Sequence, residues 1–585
     1  MEHINHNNEN NGKQPSRSIP KLIVVIVIIA VIAVAAVLYN TVLPTQNPYI
    51  SVPGDHRSIQ AAIEAAGDGD EIVVEPGLYY EQIDFLGKDI ILRSTDPEDP
   101  EIVAETIIDG RRRGSVVTFQ NGESDDAVLK GFTIAGGTGT RDTLVHDYKG
   151  EEYVEESYFG GGIYISGSSS PTITLNIIED NEIEHDNSAG GGIAVLDHSR
   201  PRIINNTIKG NASFNGAGIY TWKASPVIEE NELHDNDARS YGGGMFIDFE
   251  SSPGIRNNNF YDNRSTSGGA IAVFFADPVI SGNTMNNNRS IWYGGGIALF
   301  DASPIIENND ISSNTARNHG GGLALAEGSD PDIINNTIMK NYTEESGGGM
   351  AVLEDSEPNI VDNIISENVV LFGGGGIYVR ESSPTIDGNS IVDNIVQQDG
   401  GGIAIIKESS PLVVNNIIDE NTAGRLGGGL AIGEDSTPVF QDNTISNNVA
   451  MASGGGFFVQ QSSITLERNI VSDNKARGEV EDLPGSGGGV FLVASSSATI
   501  INNEFTGNIA LELGGAVVAY DESEADLKEN TFIANEAETG GAYIGFGEAS
   551  IKTGDPDDNT YEDNIPEDIE EDDNNDQNDT DANDD

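Results

Sequence analysis

The residues best suited to chemistry lie in a segment that interrupts an otherwise regular repeat. Residues 138–159 hold Arg141, Asp142, His146 and Tyr148 within a few positions of one another. An imidazole and a carboxylate near a guanidinium could exchange protons with a substrate or hydrogen-bond a polar ligand. Because function in a repetitive chain lies where the copies differ, we predict that these four residues bind a substrate.

A second group of candidate residues shares one position in the repeat. Tyr241, Trp292, Tyr293 and His319 all come just before a run of glycines, as do the segment 138–159 and a second irregular segment, 475–486. Equivalent positions of a repeat lie along one edge of the stacked structure, so we expect a common edge rich in aromatic rings. Such an edge suits carbohydrate, and the alternative is that these residues only pack loops against the molecule.

The composition excludes several classes of function. Lys and Arg number 30 against 95 Asp and Glu, which gives a net charge of −65, so nucleic acid is not expected as a partner. The absence of cysteine excludes disulfides and thiolate chemistry. No cofactor is predicted. The acidic excess leaves room for Ca²⁺, but without regular ligand spacing.

The repeat itself predicts the architecture. From Gly160 to Gly540, glycine doublets or triplets begin units of mostly 26 or 27 residues, such as GGGIALFDASPIIENNDISSNTARNH. Each unit has short β-branched runs separated by Gly, Pro, Asn and Ser, which favours short strands over helices. We therefore expect an all-β, single-stranded parallel β-helix, with three strands per coil and regular repeats over 160–560.

The glycine-led strands carry aromatic residues at their centres. Tyr164, Tyr220, Phe246, Tyr378 and Phe458 alternate with residues expected to point into the core. Their side chains should therefore point outward. The sequence predicts a flat, partly apolar face that either binds a glycan or another protein, or lies under the segment 138–159.

Asparagines recur in pairs five residues apart in fourteen units. Stacking would place each Asn over its copy, and its amide can both donate and accept, so each column can form a hydrogen-bonded ladder. We assign these asparagines a structural role, and glycan attachment or metal binding is the minor alternative. Representative members are Asn176, Asn181, Asn206, Asn211, Asn309, Asn314, Asn389 and Asn394.

The N-terminal region predicts a membrane anchor. Residues 22–39 form an uninterrupted apolar run, and eighteen residues at 1.5 Å per residue span about 27 Å. Lys13, Arg17 and Lys21 precede the run, which places residues 1–21 in the cytoplasm and the rest of the chain outside the cell or in the periplasm. Residues 40–53 would form a stalk. A cleaved signal peptide is the alternative.

The segment after the stalk carries a family resemblance. Ser58 to Ala66 has an apolar face at helical spacing, and it is followed by GDGDEIVVEPGLYYE at residues 67–81. This pair of segments resembles the first part of pectin-lyase-like right-handed β-helix proteins. The resemblance implies a right-handed coil and an N-terminal capping helix, with the cap and first irregular coils at 54–159. At the other end, residues 561–585 read as a disordered acidic tail.

The resemblance is specific for fold and not for activity. It implies a choice among polysaccharide lyases, polygalacturonases, epimerases and non-catalytic surface proteins, and no catalytic cluster of that family can be matched here. We expect a membrane-anchored, extracytoplasmic rod that binds carbohydrate or partner surfaces without catalysis. The alternatives are a lyase or hydrolase of an acidic polysaccharide, with its site near 138–159, 292–293 and 319, and a purely structural envelope protein or adhesin. The sequence leaves the oligomeric state open.

Overall fold

The computed structural model describes residues 29–32, 49–148, 151–481, 483–554, 558–566 and 570–571. The chain forms two compact units, Met1–Ile50 and Ser51–Asp585. In the first unit residues 29–32 are helical. Searching the described residues alone reveals no helix long and apolar enough to cross a membrane. The predicted cytoplasmic segment 1–21 and most of the predicted span 22–39 and stalk 40–53 lie outside the described residues, as does most of the acidic tail.

The second unit is a solenoid of parallel strands. In a representative coil the strands are Ile297–Phe300, Ile305–Glu307, Asp310–Ser312 and Thr315–Ala316. Each pairs in parallel with its copy one coil later; Ile297, for example, lies opposite Leu323. The stacked copies form three long sheets of 18, 19 and 18 strands, so the solenoid has about eighteen coils.

The three long sheets are named by their order within a coil. The glycine-led sheet comprises Ile83–Asp84, Val117–Phe119, Ile163–Ile165, Ile193–Val195, Ile219–Trp222, Met245–Asp248, Ile271–Phe274, Ile297–Phe300, Leu323–Ala326, Met350–Leu353, Ile377–Arg380, Ile403–Ile406, Leu430–Ile432, Phe457–Gln460, Val490–Val493, Val517–Tyr520, Tyr543–Phe546 and Glu570–Glu571. The second sheet comprises Ile50–Val52, Glu71–Val74, Ile91–Ser94, Val128–Lys130, Thr172–Thr174, Arg202–Ile204, Val227–Glu229, Gly254–Arg256, Val279–Ser281, Ile305–Glu307, Asp332–Ile334, Asn359–Val361, Thr385–Asp387, Leu412–Val414, Val439–Gln441, Ser463–Glu467, Ser497–Ile501, Glu524–Lys528 and Ser550–Lys552. The third sheet comprises Gly77–Tyr79, Thr106–Asp109, Thr133–Ala135, Ile177–Glu179, Thr207–Lys209, Glu232–His234, Asn259–Tyr261, Thr284–Asn286, Asp310–Ser312, Thr337–Met339, Ile364–Ser366, Ser390–Val392, Ile417–Asp419, Thr444–Ser446, Ile470–Ser472, Glu504–Thr506, Thr531–Ile533 and Thr560–Glu562.

A fourth, narrower sheet corrects the expectation of three strands per coil. It has 12 strands, nearly all of two residues. Each follows the second ladder asparagine of its coil, as Thr315–Ala316 follows Asn314. Two residues are too few to show a periodic pattern in the sequence. The strands are Ala212–Ser213, Asp237–Ala238, Arg264–Ser267, Arg289–Tyr293, Thr315–Ala316, Tyr342–Thr343, Val369–Val370, Ile395–Val396, Thr422–Ala423, Val449–Ala450, Lys475–Ala476 and Ile509–Ala510.

Two short helices lie near the start of the solenoid. Helix α1 spans Ile59–Ala65, and the Ser58 hydroxyl caps it by accepting from the main-chain N–H of Ala61. Its buried face packs on the first strands, Glu71–Val74 and Ile83–Asp84. Helix α2 spans Pro100–Glu105, is capped by Asp99, and packs on the next coils.

The paired asparagines lie inside the solenoid in two columns of hydrogen bonds. Asn309 Nδ2 donates to Asn336 Oδ1 at 3.0 Å and to the main-chain oxygen of Ile280 at 2.9 Å. Asn314 makes the equivalent bonds to Asn341 and Met285. The same pattern holds at the other asparagines named above, Asn176, Asn181, Asn206, Asn211, Asn389 and Asn394.

The stacking continues beyond the last repeat identified in the sequence. A further pair, Asn559 and Asn564, accepts hydrogen bonds from Asn530 and Asn535. Strands Thr560–Glu562 and Glu570–Glu571 then pair with the preceding coil, whereas the sequence placed the end of the regular repeats at residue 560. The asparagines of this last coil lie 29 residues after those of the preceding coil, so the coil does not match the shorter repeat period.

Candidate functional site

The outer face of the glycine-led sheet carries most of the aromatic side chains of the solenoid. Within a strand such as Ile297–Phe300, the second and fourth residues belong to a cluster separate from the coil interior. The residue just before each glycine run adds a third column, because Tyr293, His319 and Ser346 form successive parallel bridges. We call these three columns together the outer face.

The irregular segment 138–159 is a β-hairpin that covers one end of the outer face. Strands Thr140–Tyr148 and Glu151–Phe159 pair antiparallel, and the second strand also pairs in parallel with Ser188–Ala189. Leu144 and Phe159 are buried against Tyr164, Tyr220, Trp222 and other side chains of the outer face. The hairpin therefore packs on the outer face through an apolar contact. This is the alternative from the sequence in which the segment 138–159 covers that face.

The second irregular segment covers the other end of the outer face. Val480 and Leu483 pack on Phe458, Phe491 and Leu426. The two insertions thus lie on the same face, at its two ends. Between them remains a stretch around Tyr293, His319 and strands Leu323–Ala326 to Ile403–Ile406, which we call the central face.

The four candidates in the hairpin have mainly structural contacts where their side chains are described. Arg141 forms an ion pair with Glu156 of the facing strand. Asp142 accepts a hydrogen bond from the Tyr164 hydroxyl, which fastens the hairpin to the solenoid. His146 and Tyr148 lie on strand Thr140–Tyr148, but their side chains fall outside the described residues.

The other candidates meet in a row of rings along the outer face. Tyr241 lies 4.5 Å from Phe274 and 6.1 Å from Phe300 between ring centroids, and Phe300 lies 5.4 Å from Tyr293. The row then continues on the central face, where the ring centroid of His319 lies 5.6 Å from that of Tyr293 and 6.5 Å from that of Tyr378. Trp292 precedes Tyr293 on the same strand and is 51% exposed.

His319 is held neutral on the central face. Burial, together with the positive charge of Arg380, lowers the pKa of its imidazole to about 4. Its Nε2 lies 3.7 Å from Oε2 of Glu345, and its buried Nδ1 has no hydrogen-bond partner among the described residues. A neutral imidazole keeps one donor and one acceptor for a ligand.

Arg380 and two tyrosines supply further polar atoms beside His319. Arg380 pairs with Glu354 at 3.2 Å, while its buried Nε lies 3.4 Å from Glu381 without forming a hydrogen bond. Burial raises the pKa of the Tyr293 and Tyr378 hydroxyls, so both remain protonated donors. The central face therefore combines rings with polar groups that can hydrogen-bond to an uncharged ligand.

One border of the central face is acidic. A shallow pocket of about 480 Å³ lies at the turns that follow strands Met350–Leu353 to Leu430–Ile432. Its lining includes Asp355, Glu357, Glu381, Glu408, Glu434 and Asp435, with Lys407. Within the part of the chain that the structure describes, no group of three or more His, Asp or Glu side chains is arranged to hold a metal ion.

Two functional candidates were missed from the sequence, Arg380 and Asp248. Both are the fourth residue of a glycine-led strand, where Trp222, Phe274 and Phe300 occupy neighbouring coils. A polar residue at a position that is otherwise mostly apolar is a departure from the repeat. This departure is present in the sequence, but it can be recognised only when the last residue of each strand is known.

Comparison with known proteins defines the family. The family described as right handed beta helix region matches residues 121–275, 264–391 and 349–532. The chain therefore belongs to this family, and its solenoid is a right-handed parallel β-helix. The resemblance to pectin-lyase-like proteins, inferred from residues 58–81, is thereby confirmed for the fold.

The remaining comparisons do not assign an activity to this chain. No curated protein matches the sequence. A solved structure of the PL6 family alginate lyase AlyGC matches with 12% sequence identity and a TM-score of 0.29, over 86% of this chain and 98% of that chain.

Proposed function

We propose that the central face binds a neutral, hydroxyl-rich glycan without cleaving it. The observation that carries this proposal is the buried His319 Nδ1, which has no hydrogen-bond partner among the described residues and lies beside the rings of Tyr293 and Tyr378. Buried polar groups normally have partners, and sugar hydroxyls both donate and accept.

Charge favours a neutral glycan over an acidic one. The net charge is −65, and the border of the central face carries six carboxylates and one lysine. A polyanion would be repelled on approach. Arg380, the cation that faces the row of rings, is already paired with Glu354, which leaves little positive charge for a substrate carboxylate. These observations support binding over the lyase alternative.

We also propose that the β-helix is displayed outside the cytoplasm by the apolar segment 22–39. The support is the length of that run and the three basic residues before it. Protease added to spheroplasts, in which the cytoplasmic membrane is intact and any periplasm is open, should degrade the β-helix and leave a short membrane-bound N-terminal fragment. An intact full-length chain after treatment, with lysed cells as the positive control, would contradict this topology.

The glycan proposal is tested by screening the full-length chain against a panel of neutral and acidic polysaccharides. Binding and product release are both measured, with and without Ca²⁺. We expect retention on a neutral glycan, with no new reducing ends and no unsaturated products. Cleavage would overturn the non-catalytic assignment. Preference for acidic polysaccharides, or no binding to any member of the panel, would overturn the proposed ligand class.

A further inference from the structure

A pocket of about 350 Å³ lies between the hairpin and the outer face, away from the central face. The hairpin supplies one wall and the strands Ile219–Trp222 and Met245–Asp248 supply the floor. We call it the hairpin pocket. It is lined by Leu144, Tyr153, Glu155, Tyr220, Trp222, Asp248, Phe249 and Phe275.

The lining of the hairpin pocket is dominated by aromatic rings. Five of its eight lining residues are Tyr, Trp or Phe. One cation of the chain already packs on these rings: Lys223 Nζ lies 4.5 Å from the centroid of Trp222 and 5.3 Å from that of Phe249. The same ammonium donates to the main-chain oxygen of Val145 in the hairpin at 3.1 Å. The faces of these rings are therefore oriented to attract an ammonium group.

The acidic groups of the hairpin pocket are two carboxyls. Asp248 lies on the floor, where Oδ2 accepts from the Tyr220 hydroxyl at 2.9 Å and Oδ1 accepts from the Phe249 N–H at 2.9 Å. Glu155 is exposed on the hairpin. Burial, with a smaller contribution from the negative charge of Glu155, raises the pKa of Asp248 to about 7. No lysine, arginine or histidine is among the described residues that line the pocket.

Lys223 packs on Trp222 and Phe249, but no cation is among the described residues that line the pocket itself. Aromatic walls with two carboxyls are complementary to one class of ligand. We propose that the hairpin pocket binds a small organic cation, whose ammonium group rests on the aromatic rings between Glu155 and Asp248. A sugar could use the rings but has no need of two carboxyls that repel each other. A neutral apolar molecule would leave the carboxyls without a counter-charge. This site is independent of the glycan proposal, because it shares no residue with the central face.

The test uses choline as the probe and its uncharged isostere, 3,3-dimethyl-1-butanol, as the matched ligand. Both are titrated into the full-length chain by calorimetry. The two molecules have nearly the same shape and differ in charge. We expect choline to bind at least tenfold more tightly than the isostere. Equal affinity for the two, or no heat from choline at millimolar concentration, would overturn the proposal.

Substitutions on adjacent residues of the hairpin locate the site. Side chains alternate along a strand, so Glu155 and Glu156 point to opposite sides of the hairpin. Glu155→Gln should weaken choline binding about tenfold, and Glu156→Gln, which removes the same charge from the other side, should leave it unchanged. Asp248→Asn is the second test on the floor, and far-UV circular dichroism checks that each variant is folded. An unchanged choline affinity in both Glu155→Gln and Asp248→Asn would contradict the assignment.

Discussion

At the scale of the residue, the ladder asparagines bind neighbouring coils to one another from inside the solenoid. The side chain of Asn314 takes part in four hydrogen bonds, two accepted from Asn288 and two donated to Met285 and Asn341. The residue is fully buried, so water cannot replace a lost partner. A buried group left unpaired costs about 1–3 kcal/mol. The columns therefore stabilise the stacking and fix its register together.

Asn314→Ala should lower the free energy of opening of its coil by about 3 kcal/mol, because several buried groups lose their partners. Hydrogen exchange measured by mass spectrometry reports this opening coil by coil. Asn359→Ala is the matched control, since Asn359 is exposed on a strand of the second sheet. Equal loss of protection in the two variants would show that the ladder does not carry this stability.

Asp248 makes the stability of the wild-type chain depend on pH. Burial raises the pKa of its carboxyl to about 7 in the folded chain, against about 3.9 when unfolded. Between these values the folded chain keeps a proton that the unfolded chain has lost, so rising pH favours unfolding. We expect the thermal midpoint of the wild type, relative to that of Asp248→Asn, to fall as the pH rises from about 4 to about 7, the interval between the two pKa values. A constant difference between the two midpoints would refute the raised pKa.

At the scale of the element, the hairpin covers the outer face through few apolar contacts. Leu144 is 5% exposed and shares a cluster with Trp222. Leu144→Ser should loosen the hairpin and shift the emission of the buried Trp222 to longer wavelength. The chain has only two tryptophans, and Trp292 is already exposed. Val154→Ser, at an exposed position of the same hairpin, should leave the spectrum unchanged, and a shift of equal size there would contradict this account.

Much of the architecture could be predicted from the sequence because every coil repeats the same sequence pattern. The glycine runs, the apolar triplets and the asparagines five residues apart mark strand, turn and register in each copy. The fourth sheet could not be predicted, because a strand such as Thr315–Ala316 has no alternation to detect. The fold of the segment 138–159 was also beyond prediction, since its strands are held by tertiary contact with Tyr164 and Tyr220.

The candidate sites were predictable only in part. The shared edge of Tyr241, Tyr293 and His319 follows from their common position before the glycines. The contact between His319 and Tyr378 does not, because the two rings meet across two coils. Glu155 and Asp248 face one pocket only because the hairpin folds back over the sheet.

At the scale of the whole molecule, each coil of the β-helix contacts mainly its two neighbours. Stability should then be nearly additive over coils, as in other solenoids. Deleting residues 427–453 removes one coil and brings Gly454 to the place of Gly427, so both asparagine columns continue. We expect a folded chain with an unchanged circular dichroism signal per residue. Deleting residues 427–440 shifts the register by about half a coil and should lose folded signal; equal tolerance of both deletions would contradict the stacking account.

The central face is proposed to recognise a glycan. The most direct measurement compares the affinity of the full-length wild type and two tyrosine variants for the neutral glycan retained in the screen. Tyr293→Ala removes a ring from the row beside His319, whereas Tyr342→Ala removes an exposed ring from the fourth sheet. We predict a loss of about tenfold or more for Tyr293→Ala and none for Tyr342→Ala. Equal affinity of all three proteins would contradict the account.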